Sequence, residues 1–184
     1  MRRIIILLIG MWFSIATNAA VVVGNTQGQI VIDEVFDYQC PHCQQMFPIV
    51  QSLKSANAAL KIRLFPVAII NSFSLTEASA ALTATQYPTG FDALNTVFLT
   101  TPLHSNEEFN FTLTNLGFYT TNFTNQMHSK WVEAQIIEGL QLLKKYHCNS
   151  VPLFLVYRSN HPEKAIVLRG SQSQVELQGA INHV

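Results

Sequence analysis

Two thiols, Cys40 and Cys43, are separated by Pro41 and His42. On a helix that spacing is one turn, close enough to close a small disulfide ring, so the chemistry on offer is reversible thiol–disulfide exchange. Pro41 suits the first turn of a helix, where its missing N–H costs nothing, and Cys40 then falls at the helix N-terminus. Unpaired backbone N–H groups and the positive end of the helix dipole stabilise an anion there. Cys40 is therefore expected to ionise well below a free thiol and to be the exposed nucleophile. His42 can give that thiolate a hydrogen bond or a positive charge, and whatever stabilises the reduced state makes the disulfide a stronger oxidant. Cys43, one turn inside and shielded by the helix, is expected to be the resolving thiol that attacks a mixed disulfide at Cys40.

A Cys-x-x-Cys pair can also be half of a zinc site, which needs four ligands. His147 and Cys148 are available, but adjacent residues seldom point at one metal, and the chain has no second Cys-x-x-Cys and no His-x-x-x-His. We read the sequence as calling for no metal and no cofactor, with a redox-inert metal-binding or chaperone module as the rival. His104, His128, His161 and His183 are isolated and are assigned no function. Cys148 reads as a buried, inert thiol.

The chain has 184 residues, enough for one domain carrying an insertion. Hydrophobic residues make up 48% and charged residues 12%, which excludes a disordered chain and a solvated coiled coil. Eleven Lys plus Arg balance eleven Asp plus Glu, so no excess positive charge is left to collect phosphates, and nucleic acid is excluded as a partner. At the amino end, Arg2 and Arg3 precede an apolar run and then small residues at Thr17, Ala19 and Ala20. This is the pattern of a secretory signal peptide over 1–19, cut after Ala19 or, with Asn18 in a recognition position, after Ala20. Export would place the protein where disulfides persist.

The elements that must hold the cysteines follow from periodicity. Strands are expected over 21–23 and 30–36, the second running into Cys40, with a helix over 43–60 and a short strand over 61–65. Helices are expected over 75–86, 91–99, 106–115 capped by Asn106, 121–128 and 130–146, the last with Val132, Ile136, Leu140, Leu143 and His147 on one face. A strand pair over 152–157 and 165–168 and a helix over 173–183 complete the chain. The order gives an α/β frame over 20–70 and 147–184, with a helical insertion over 71–146. Phe73, Phe91, Phe98, Phe123 and Trp131 read as core of that insertion.

The segment Glu34-Val-Phe-Asp-Tyr-Gln-Cys40-Pro-His-Cys43, followed by a helix, resembles the active-site segment of the DsbA family of thiol:disulfide oxidoreductases. Asn149-Ser-Val-Pro152-Leu-Phe-Leu-Val resembles that family's cis-proline loop and following strand, and the helical stretch matches its insertion. The resemblance implies a thioredoxin-like α/β fold with a helical domain inserted mid-chain. It implies that Pro152 is cis and faces Cys40 and Cys43, and that Val151 presents backbone groups to an extended substrate peptide. It also implies a buried acid at Glu34 that helps move protons off Cys43, although adjacent Asp33 competes for that place, and Lys61 and Arg63 compete as the acid's basic partner. The activity implied is a monomeric, periplasmic oxidase that passes its disulfide to reduced exported polypeptides and is reoxidised by a quinone-linked membrane partner of the DsbB type. A reductase or isomerase is the alternative within the class.

Overall fold

The computed structural model describes residues 20–184, so the targeting segment expected at 1–19 lies outside the described residues. Five strands, β1 (Val21–Gly24), β2 (Ile30–Phe36), β3 (Leu60–Pro66), β4 (Leu153–Arg158) and β5 (Ile166–Arg169), form one sheet in the order β1-β3-β2-β4-β5. β2 lies at the centre, parallel to β3 and antiparallel to β4, with Glu34 opposite Leu64 on one side and Phe154 on the other. Its sequence, Ile-Val-Ile-Asp-Glu-Val-Phe, is buried from Val31 to Phe36, as a strand covered on both faces requires.

Helix α1 (Pro41–Ala56) makes the crossover from β2 to β3. It starts two residues earlier and ends four residues sooner than its apolar spacing predicts. Asn57 turns extended, its side chain and carbonyl accept from the N–H groups of Ala59 and Leu60, and Leu60 opens β3 instead of closing the helix.

Between β3 and β4 lie α2 (Ser72–Ala84), α3 (Gly90–Thr100), α4 (Asn106–Asn115), α5 (Thr121–Gln126) and α6 (Lys130–Lys145), and α7 (Gln174–His183) ends the chain. α4 is capped by Ser105, whose hydroxyl accepts from the Glu108 N–H, and not by Asn106, which is the first helical residue. His147 lies beyond the apolar stripe of α6: with φ 49° it is the left-handed residue that ends the helix, and the Cys148 N–H returns to the Leu143 carbonyl at 2.9 Å.

α6 lies close on the sheet because Gly139 has no side chain; a Cβ there would stand 2.5 Å from Val67 Cγ1. Tyr38 joins the layers, its ring edge-on to Phe36 at 5.1 Å and to Phe98 at 5.4 Å, and its hydroxyl donates to Asn95 Oδ1. Phe91, Phe98 and Phe123 are core as expected, but Trp131 is 42% exposed, its ring left on the outer side of α6. Among the described residues no helix is long and apolar enough to cross a membrane.

Candidate active site

β2 delivers the cysteine motif to the middle of the sheet's end, and a short turn fixes its direction. Asp37 holds that turn: one carboxylate oxygen accepts from the Gln39 N–H at 2.9 Å, the other from the N–H groups of Ile69 and Ile70 at 2.8 and 3.0 Å. The Cys40 N–H donates to the Asp37 carbonyl, and Cys40 becomes the N-cap of α1 with no side-chain cap of its own.

Cys40 and Cys43 are both free thiols. Cys40 is not the exposed group its position predicts; it is only 3% accessible, because the loop before β4 lies across it, with the Val151 carbonyl 3.6 Å from Sγ. Its ionisation is nevertheless favoured, with the pKa lowered to about 6. The S–H of Cys43 contributes most, the backbone N–H groups of Cys43 and His42 add to it, and the charge of His42 comes last, all working against burial. The helix N-terminus thus acts as its sequence implies, while the leading donor, the neighbouring thiol, is one that sequence reasoning missed. The Cys43 thiol is pushed strongly upward by burial and by the sulfur beside it.

The Val151–Pro152 bond is cis, as the resemblance implies. Both residues are buried, and the Val151 carbonyl is turned toward Cys40 Sγ. One loop then ties the parts together. The Gly170 N–H donates to the Pro152 carbonyl at 2.8 Å, Ser171 Oγ lies 3.1 Å from His42 Nδ1, and the Gln172 N–H points at Met46 Sδ of α1. His42 itself is exposed, held by Ser171, a partner that nothing in the sequence pattern indicated.

Both competing acids are buried, on opposite faces of β2. Asp33 has partners: Arg63 at 3.4 Å and the hydroxyl of Tyr157, which donates at 3.0 Å. Glu34 lies under α1, bordering a cavity of about 10 Å³ with Val50, Gln51 and Lys54, on the scale of one water molecule. Arg63 is therefore the partner of Asp33 and not of Glu34. Burial pushes Glu34 up to about 8, so the fold keeps it protonated through neutrality, and only once ionised does its charge add to what holds the Cys43 proton. Cys40, Cys43, His42, Val151 and Pro152 form one cluster, with Glu34 beneath it. Cys148 is buried, with Sγ 3.2 Å from the Ser150 carbonyl. Among the described residues no group of three or more His, Cys, Asp or Glu side chains is placed to hold a metal ion.

The family model described as thioredoxin matches residues 16–182. No curated protein matches the chain significantly. Among solved structures, a thioredoxin-like oxidoreductase from Silicibacter pomeroyi is 26% identical, with 90% of this chain and 91% of that one covered at a TM-score of 0.80. A periplasmic thioredoxin-like protein from Salmonella enterica serovar Typhimurium is 16% identical over 92% of this chain and 91% of that one, TM-score 0.77. The thiol-disulfide exchange protein alpha-DsbA2 from Wolbachia pipientis is 17% identical over 89% and 86%, TM-score 0.77. With the cysteine motif, the cis-proline loop and the intervening helices in place, the chain belongs to the thioredoxin family and has the fold of its DsbA-like members.

Proposed function

We propose that this protein is a thiol:disulfide oxidoreductase that works as an oxidase on polypeptides exported to the periplasm. The observation that carries the reading is the asymmetry of the two sulfurs: Cys40 is stabilised as a thiolate at about 6 while Cys43 is held protonated. A pair that gains stability on reduction gives up its disulfide readily.

In the forward reaction a client thiolate attacks Cys40 Sγ, the Cys40–Cys43 bond breaks, and the Cys43 sulfur leaves and takes up a proton. A second client thiolate then attacks the client sulfur of the mixed disulfide and expels Cys40 as a thiolate. Two electrons pass from client to enzyme. The Val151 carbonyl, set against Cys40 Sγ, supports a role for the loop in seating an extended peptide. Glu34 is the group that exchanges the proton with Cys43, its raised affinity for a proton suiting it to that task. His42 adds the smallest share of thiolate stabilisation.

Turnover needs the dithiol to be reoxidised, and a quinone-linked membrane protein of the DsbB type would supply the acceptor. The export pattern in the first 19 residues and the periplasmic Salmonella relative support the location. The protein is proposed to act as a monomer.

Equilibration with glutathione tests the direction. The disulfide is expected to be reduced in mildly reducing buffer and, in the oxidised form, to be transferred to a reduced peptide through an adduct at Cys40. A disulfide that stays oxidised under those conditions overturns the oxidase assignment.

A further inference from the structure

Glu77, on α2, is fully buried, and the exchange chemistry makes no use of it. One of its carboxylate oxygens accepts from Gln39 Nε2 at 2.9 Å; the other, Oε1, has no hydrogen-bond partner. Gln39 is the residue immediately before Cys40. Its side-chain amide is fully engaged: the second N–H donates to the Leu103 carbonyl at 3.0 Å, and its oxygen accepts from Asn71 Nδ2 at 3.2 Å. Asn71 is in turn the cap of α2, accepting from the N–H groups of Phe73 and Ser74. Through this one side chain, α2, its cap residue Asn71 and the link between α3 and α4 grip the turn that Asp37 has already locked from below. Burying a carboxyl with a bare oxygen is costly, and a leucine would fill the same place in α2 without that cost. What the acid adds is a fixed position for Gln39.

We infer that Glu77 is a positioning residue for Cys40, acting through Gln39 to fasten the helical insertion to the turn that carries the nucleophile. The inference rests on the exchange chemistry proposed above.

Burial, helped by the nearby Asp37 charge and opposed by the Gln39 hydrogen bond, raises the Glu77 carboxyl to about 7. The titratable groups facing it, Asp37 and Tyr38, both lie on that same turn, and Glu77 helps push the Tyr38 hydroxyl upward. No charged group of α3, α5 or α6, the helices packed on α2, is among the influences on its titration. The Gln39 N–H binds the ionised carboxylate more strongly than the neutral acid, which is why it opposes the rise. The hold on Gln39, and through it on Cys40, therefore tightens as the pH rises through neutrality, and Cys40 reactivity carries a second ionisation besides its own.

The test is alkylation of Cys40 in the reduced full-length protein as a function of pH, read at residue 40 by peptide mass. The wild-type profile is expected to carry an ionisation near 7 that Glu77→Gln, which keeps the size and the accepting oxygen, lacks. Glu77→Ala should slow disulfide exchange about fivefold, the worth of one lost hydrogen bond, with Glu77→Gln restoring the rate. Superimposable pH profiles for wild type and Glu77→Gln would overturn the inference, whatever becomes of the alanine variant's stability. A wild-type Cys40 that titrates like a free thiol would instead sink the proposed function.

Discussion

Asp33 and Glu34 are chain neighbours on the central strand, equally hidden from solvent, yet they live in opposite environments. Asp33 faces the α6 side with Arg63, Tyr157 and, at 3.9 Å from Arg63, Glu138. Glu34 faces α1 across a small cavity that Phe36, Phe47, Val50 and Leu99 share with Gln51, Lys54 and Asn95. Burial raises both, Asp33 to about 6 and Glu34 to about 8, and only for Asp33 do a cation and a hydroxyl pull the other way. A pleated strand that alternates its faces can thus hold one acid for architecture and the next for chemistry. Asp33 ties β2 to Arg63 of β3 and Tyr157 of β4, and Glu34 is, in the proposed exchange, the proton store for Cys43.

The largest effect that could break this contrast lies at Glu34. Below pH 4.5 the folded and unfolded chains both hold its proton, and nothing is lost. Between 4.5 and about 8 the unfolded chain releases the proton while the folded one retains it, so stability falls as the pH rises. Above 8 the cost reaches its full size, on the order of 4–5 kcal/mol. Reduced Glu34→Gln should therefore resist urea better than the wild type in alkaline buffer, the advantage shrinking to nothing toward pH 4.5, while its disulfide exchange slows. A stability gap independent of pH would show that Glu34 is not held protonated by the fold.

The paired acid should give a smaller and different response. Arg63→Met leaves Asp33 with the Tyr157 hydroxyl and the weaker pull of Lys145 and should cost about 1–2 kcal/mol in denaturant unfolding, since Arg63 is partly exposed and water screens part of the attraction. Cys40 alkylation should not change. If disulfide exchange slows as far as in the Glu34 variant, the division of labour between the two faces fails. Smallest is His42→Ser, because the charge of His42 ranks last among the influences on Cys40. The disulfide should become harder to reduce, by about 10–30 mV in a glutathione titration. An unchanged or more oxidising potential would remove His42 from the mechanism.

Much of this was legible in the chain because it is local. The β-branched run of β2 and the proline at the start of α1 announce themselves over a few residues, and the cysteine spacing places both sulfurs relative to that helix. Near misses came where two local rules overlapped: Leu60 continues the apolar spacing of α1, but Asn57 had already turned the chain. The unread part is long-range. That Cys40 is covered depends on Val151, that His42 is held depends on Ser171, and that Gln39 is fixed depends on Glu77, and no periodicity links those pairs. Asp37 was the one such residue with a local sign, an acid at a strand end whose side chain can bond the backbone two residues on.

The contact between the Cys40 sulfur and the Val151 carbonyl joins positions 111 residues apart. A chain emerging from its amino end releases both thiols long before the segment that covers them, and the closing of so large a loop comes late. Until the later strands dock, Cys40 lies without its cover, so a late segment of the chain completes the site that an early one sets up.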